Sequence, residues 1–368
     1  MDVPAAGRDY PRTLREFNVW FPGEEEALEY LVRLRWPGGF ACPTCGESTF
    51  WRMSKGRNLR CAGCRLDASI TAGTIFADTR LPLATWFAAA WYVTGTKNGV
   101  SALGLQRLLG LGSYETAWAL LHKLRRAMVR PGRDRLAGEV EADETYLGGF
   151  AEGRRGRGAA SKAIVSVAVE KRGAGMGRVR LAQIPDVSAE SLLAALEQAV
   201  EPGAVVYTDH WRGYYGLGAA GYTHHPTAIA SSGDPAHVVM PRVHRIASLL
   251  KRWLLGTHQG AVRPQHLDDY LAEFSFRFNR RSSNHRGLLF YRLLEQAVQL
   301  EHVPIARITA AGQVTGRTKG RDPDTQLLEY WRSLRPRPAR FSPANRDRIY
   351  DGKHLRAFHV DDDHPVSH

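Results

Sequence analysis

The sequence lacks any apolar run long enough to cross a membrane as a helix. Its longest, around Trp86–Val93, falls far short of the ~18 residues such a helix needs. Its charged start (MDVPAAGRDYPRTLREF) has no hydrophobic segment, so no secretory signal is expected. Cysteine is scarce, at four residues, and negative charge is in deficit: 37 Asp+Glu against 50 Lys+Arg leaves a formal net charge of +13. Core-forming residues are not scarce. A hydrophobic fraction of 43%, with 13 Phe, 13 Tyr and 9 Trp, excludes disorder throughout. What remains is a soluble, basic, intracellular chain whose 368 residues suit two or three domains. Such a charge balance favours a polyanionic partner, nucleic acid being the commonest; charge that merely aids solubility is the bland alternative.

The few cysteines are concentrated. Cys42 and Cys45 form one C-x2-C pair, and after 15 intervening residues Cys61 and Cys64 form another. That spacing fits a four-thiolate zinc site, closed and therefore structural, with Gly46 and Gly63 suited to its tight turns. Two disulfides or a redox pair are the rivals, but disulfides do not suit a reducing compartment, and no thioredoxin-like unit surrounds the cysteines. Arg52, Lys55, Arg57, Arg60 and Arg65, interleaved with Phe50 and Trp51, offer either a phosphate-facing surface or a solvated basic face.

Around this ribbon the pattern is helical: an amphipathic Glu24–Leu34, an apolar Pro82–Val93, then Ser101–Leu109 and a helix from a Ser113 cap to Met128. The last two flank a short Gly turn, as in a helix-turn-helix, and His122, Lys123, Arg125, Arg126, Arg130, Arg133 and Arg135 follow. DNA contact and an ordinary helical hairpin both remain open for this segment. From residue 139 strands are expected at Glu139–Leu147, Ala163–Glu170, Arg178–Ile184, Ala204–Tyr207 and Tyr222–Ile229. A Gly/Arg-rich loop fills Gly148–Lys162, and helices are expected at Ser188–Val200, Val243–Leu255 and His266–Arg281. This is an α/β layout, helices on a mixed sheet. The last ~50 residues are polar, rich in Pro and Arg and aperiodic, which reads as a mostly disordered tail.

Two carboxylates stand where strands end: Asp143 in VEADETYLGG and Asp209 in VVYTDHWRGY. A carboxylate fixed at a sheet edge suits Mg²⁺ or Mn²⁺, although a lone Asp there is more often a turn or cap residue.

Asp143-Glu-Thr-Tyr-Leu-Gly-Gly149, Tyr207-Thr-Asp209-x-x-Arg-Gly-Tyr214 and Leu271-Ala-Glu-Phe-Ser-Phe-Arg-Phe-Asn-Arg-Arg281 together resemble the ISXO-type insertion-sequence transposases. The resemblance runs from roughly Phe17 to Leu294. It implies an N-terminal zinc ribbon joined to an RNase H-like, DDE-class domain that cleaves DNA and transfers strands with two Mg²⁺ or Mn²⁺ ions. On that resemblance Asp143 and Asp209 are the first two acidic positions. The third position, usually Glu, falls 35 residues after Asp209 on His244, with Lys251 seven residues on and on the same helix face. Imidazole can ligate a metal but adds no negative charge. Glu273, in a stripe with Arg277 and Arg280, is the competing third carboxylate; a plain helical Glu–Arg pair is its bland reading. Lys251 is expected to hold a DNA phosphate, and Arg277 and Arg280 to do the same or to orient Glu273.

The implied organisation is a helix and zinc ribbon over 13–75, a helix-turn-helix-like DNA-binding region over 80–135, the catalytic domain over 136–295 and a basic tail over 310–368. The implied partners are double-stranded DNA (terminal inverted repeats and target) and further copies of the chain, at the nucleoid in the cytoplasm. A zinc-ribbon DNA-binding regulator, an inactive remnant and a structure-selective nuclease are the alternatives.

Overall fold

A computed structural model describes residues 3–53, 56–130, 132–148, 162–227, 233, 235–260 and 262–310. The tail beyond Ala310 and the loop between Gly148 and Lys162 lie outside these described residues.

Two short helices open the chain. Helix α1 (Leu14–Trp20) starts at Thr13, whose hydroxyl accepts from the Glu16 N–H, and α2 (Glu24–Arg35) carries Glu24, Glu25 and Glu26 in its first turn and Arg33 and Arg35 in its last. Both charge placements favour the helix dipole. The ribbon follows as a three-stranded antiparallel sheet, β1 (Phe50–Arg52), β2 (Asn58–Cys61) and β3 (Asp67–Ser69). Arg57 fastens it to α2 through Glu24 at 2.9 Å.

Helices α3 (Leu83–Gly95), α4 (Ala102–Leu109) and α5 (Tyr114–Arg126) come next. Ser101 and Ser113 cap α4 and α5 as their sequence suggests, and Gly110 ends α4 at φ +62°, where a Cβ would be strained. The stripe Ala117, Leu120, Leu121, Leu124 and Met128 is buried in a core with Phe17, Leu31, Phe87 and Trp91. Helix α10 (Arg286–Ala297), which no sequence motif singles out, supplies Leu289, Phe290, Leu293 and Leu294 to that same core. After its sheet the chain thus returns to complete the first core.

The second half is built on a five-stranded sheet in the order β6-β5-β4-β7-β8: β4 (Glu139–Leu147), β5 (Ala163–Arg172), β6 (Gly175–Ile184), β7 (Val205–Asp209) and β8 (Thr223–Thr227). The first three form an antiparallel meander; β7 and β8 run parallel to β4. That order and those directions are the RNase H-like arrangement, and helix α6 (Ala189–Ala199) makes the crossover into β7. Val140, Ala142 and Val206 point to α6, where Leu192, Leu196, Tyr214 and Leu217 cover them. Val165, Val167, Val179 and Leu181 face the other way, under α8 (Pro241–His258) and α9 (Leu267–Asn279). Helices α7 (Ala236–Val239) and α11 (Ile305–Ala310) are short additions.

Candidate active site

Strand β4 runs up the middle of the sheet. Its parallel pairing sets Glu139 opposite Val205 and Glu141 opposite Tyr207, and Asp143 and Asp209 each follow two residues further along their own strands. Each aspartate is held locally: the Glu144 N–H donates to Asp143 Oδ1 at 2.8 Å, and the Trp211 N–H donates to Asp209 Oδ1 at 3.1 Å. The Tyr214 hydroxyl, deeply buried, donates to Glu144 at 3.1 Å and so ties the two sequence motifs together. Burial, then the negative charges of Glu144, Asp143 and Asp209, push its phenol well above its ordinary value. Three carboxylates thus act on one buried ring.

Helix α8 brings the third candidate. His244 Nε2 is buried 3.9 Å from Asp143 Oδ2, with no hydrogen-bond partner among the described residues. Burial, then the charge of His237, lowers the imidazole below its ordinary value, which favours the neutral form. A separation of 3.9 Å is too long for a hydrogen bond. It does suit two ligands of one cation, since groups each ~2.1 Å from an ion stand about 3 to 4 Å apart. The orphaned nitrogen facing a carboxylate therefore fits a divalent metal. His244, Ser248 and Lys251, one turn apart in succession on α8, line a pocket of about 480 Å³ with Asp143 and Tyr146.

Glu141 is a buried carboxylate near the site that no motif in the sequence marks. It points to the same side of the sheet as Asp143, two residues on. Its carboxylate accepts from the Arg242 N–H at 2.8 Å and the Val243 N–H at 3.2 Å, and pairs with the Arg242 guanidinium at 2.6 Å. An acidic group on free N–H donors at a helix start is favourable, and here it fixes the turn that carries His244. The only available signal was the alternation Glu139-x-Glu141-x-Asp143.

Glu273 is placed elsewhere. It is fully buried on α9, 2.8 Å from Arg125 Nε and 3.0 Å from Arg277 Nη1, and does not line the Asp143 pocket. Burial opposes its charge, but Arg125 and Arg277 outweigh that and hold the carboxyl below its usual range. Arg277 also donates to the carbonyls of Thr96 and Lys97, and a side chain at Gly99 (φ +69°) would collide with the pair. Arg280 stacks on Phe276 at 4.0 Å, facing a different cleft. The stripe expected to join the site is thus divided among a buried ion pair, a loop clamp and a separate cleft.

The basic end of α5 is likewise turned inward. His122 meets Asp269 at 2.7 Å, Arg125 meets Glu273, Lys123 is buried over Trp86, and only Arg126 is partly open. His122 and Arg125 are thus engaged by α9 and Lys123 by Trp86 of α3, which leaves Arg126 as the partly open one of the four.

In the ribbon, Cys42 Sγ lies 3.6 Å from Cys64 Sγ and Cys45 Sγ 3.5 Å from Cys61 Sγ, all four within 4.8 Å. Those separations exceed a disulfide bond and match thiolates around one tetrahedral ion. The Cys45 N–H, foremost, lowers the Cys42 thiol to about 6, while, against the Glu47 N–H, the neighbouring Cys61 and Cys64 thiols help push Cys45 up to about 12, as crowded thiols without a cation do. Arg60 is committed to Asp67 at 2.6 Å and Arg65 lies over Trp51, while Lys55 is outside the described residues. Much of the ribbon's positive charge is therefore already engaged.

Residues 135–279 match the family model of the ISXO2-like transposase domain, and residues 22–67 match that of the transposase zinc-ribbon domain. Among solved structures, the chain is similar to the catalytic core domain of BIV integrase at 17% identity, over 54% of this chain and 98% of that one, with a TM-score of 0.24. No curated protein matches it.

Proposed function

From the premise that this chain belongs to the ISXO-type transposases, with a zinc ribbon ahead of a DDE-class domain, we propose that it cleaves DNA at the ends of an insertion sequence and joins them to a target. The observation that carries this is His244 Nε2, 3.9 Å from Asp143 and without a hydrogen-bond partner among the described residues, beside neighbouring parallel strands that bear Asp143 and Asp209.

Asp143, Asp209 and His244 would hold the Mg²⁺ or Mn²⁺ ions, two in the mechanism proposed. When bound, such ions activate a hydroxyl for attack and stabilise the leaving oxygen. The chain's own part is to orient and to exclude alternatives. Glu141 and Arg242 hold the start of α8, so His244 meets Asp143 without a search. Lys251 fixes a DNA phosphate as a point charge, and exposed Arg245 and Arg252 beside it extend that grip. With water and then a DNA 3′-hydroxyl as nucleophiles, attack on phosphorus is direct and no side chain is modified. The ribbon would hold zinc through Cys42, Cys45, Cys61 and Cys64 and order a surface for the terminal repeats, so that sequence choice stays apart from chemistry. Two ends must meet, which calls for a dimer or larger assembly on DNA, at the nucleoid. Among the described residues no helix is long and apolar enough to cross a membrane.

Purified protein incubated with terminal-repeat duplex and Mg²⁺ or Mn²⁺ tests the reading. Cleavage followed by joining is expected. Cleavage without joining would make the chain a structure-selective nuclease, and binding without cleavage a DNA-binding regulator or a remnant.

A further inference from the structure

A second concave site lies at the β6 edge of the sheet, two strands from Asp143. It is a cleft of about 600 Å³ into which six arginines converge: Arg130, Arg133, Arg178, Arg180, Arg280 and Arg292. Three of them have carboxylate partners. Arg130 lies 3.3 Å from Asp134, Arg178 lies 2.5 Å from Glu170, and Arg292 lies 2.7 Å from Glu295.

The other three have none among the described residues. Arg180 is 7% exposed and donates only to the carbonyls of Val179 and Asp134, while its Nε is buried with no partner. Arg280 has only the Phe276 carbonyl at 3.2 Å and the Phe276 ring. Arg133 makes no ion pair. Burial, then Arg133 and Arg178, pushes Arg180 down to about 10, and burial, then Arg292 and Arg130, does the same to Arg280. Like charges confined in one half-buried cleft repel, and a fold that keeps them leaves them waiting for an anion. Planar guanidinium groups suit phosphate, which accepts two parallel N–H donors. The cleft is far larger than one free phosphate and is built from the connector after α5, strand β6, and helices α9 and α10.

We propose that this arginine cleft binds the phosphate backbone of duplex DNA, at a place separate from the catalytic pocket. The proposal rests on the reading of the chain as a DNA-acting transposase. It gives Arg280 a role that the catalytic pocket does not, and it places DNA on the sheet edge instead of on α5.

The test uses the full chain carrying Asp143→Asn, so that binding is read without cleavage, with a labelled duplex titrated across salt concentrations. Arg133→Gln with Arg280→Gln is expected to weaken binding about tenfold near 0.15 M salt and to lower the slope of log K against log salt by roughly 0.9 for each phosphate that is no longer neutralised. Arg133→Lys, which keeps the charge, should retain the parent slope and shows that the fold tolerates change there. A control, Arg12→Gln, far in sequence and paired with Glu16 at the surface, should move neither. An unchanged slope in the double variant, or an equal weakening in the control, overturns the proposal. Thermal denaturation with inorganic pyrophosphate separates the anion sources. If pyrophosphate stabilises the parent through Arg133 and Arg280 while duplex binding is unmoved, the site takes a free phosphate and the DNA assignment is wrong. Failure of the wild-type chain to cleave would sink the catalytic reading alone, leaving the slope as measured.

Discussion

Arg125 Nε and Glu273 Oε2 lie 2.8 Å apart across the contact between α5 and α9, with both side chains almost wholly excluded from solvent. They are 148 residues apart in the chain, and Arg125 also lies over the Tyr270 ring at 4.1 Å. The pair joins the helical region to the sheet's own helices and engages the Glu273 carboxylate away from the pocket lined by Asp143. Glu273→Gln is expected to leave Arg125 as an unpaired buried charge and to cost about 3–5 kcal/mol of stability. Replacing both partners with apolar residues of similar size should cost far less. Denaturant unfolding of the three proteins decides this; a Glu273→Gln protein as stable as wild type would remove the structural role.

Asp143→Asn and Asp209→Asn are expected to abolish cleavage while DNA affinity stays within about twofold. His244→Ala should lower the cleavage rate by at least about 100-fold, the scale of losing a group that stabilises the transition state. A gel assay with Mg²⁺ and Mn²⁺, paired with a binding titration, checks both. Near-wild-type cleavage by His244→Ala would mean that the third position lies elsewhere.

Glu141→Gln keeps a cap of similar size on the first N–H groups of α8 but loses the charge that meets Arg242. The expected cost is about 1–3 kcal/mol, as for a charge-assisted hydrogen bond. Because the residue positions His244 and touches no substrate, kcat should fall by roughly tenfold with KM little changed. A change confined to KM would contradict the positioning role.

Removing zinc with a strong chelator should melt the ribbon first, since its sheet has only three short strands and the ion supplies folding free energy. Metal analysis should give one zinc per chain, and none in Cys61→Ser. Hydrogen exchange should then rise across 42–69 before it rises in β4–β6. Equal loss of protection in both regions would show that the ribbon is not a separate cooperative unit.

Acid should weaken the fold before the carboxylates titrate. Burial, against the pull of Asp269, lowers His122 to about 4, and burial, then Arg125, lowers His258 to about 3. An unfolded histidine titrates near 6.5. Between pH 6.5 and about 4 the unfolded chain therefore binds more protons than the folded one. Stability is full above 6.5 and drains away as pH falls. A melting temperature several degrees lower at pH 5 than at pH 7.5 is expected, and a flat profile over that range would count against buried neutral histidines.

Local chemistry was readable wherever a residue's role depends on its neighbours in the chain. The ribbon cysteines, the Ser101 and Ser113 caps and strand β4 follow from spacing, propensity or motif, and Asp209 ends β7 as expected, but Asp143 stands in the middle of β4, paired with Val167, and not at its end. The seven-residue step from His244 to Lys251 likewise put both on one helix face. The roles of charged residues on helices were not readable. Arg125 and Arg130 look alike in the sequence, yet one is buried against Glu273 and the other is exposed beside Asp134.

What the sequence by itself determined is the set of parts: a four-cysteine ribbon, a mixed sheet bearing two aspartates, and a basic chain in need of a polyanion. The tertiary structure alone decided which charges face one another. Docking of α9 on α5 turned Glu273 and the basic end of α5 inward, while the connector after α5, the end of α9 and α10 brought Arg133, Arg280 and Arg292 to the arginines of β6. The physical reason is that an ion pair or a cleft depends on distance and desolvation between segments more than a hundred residues apart, and no local pattern of side chains records either.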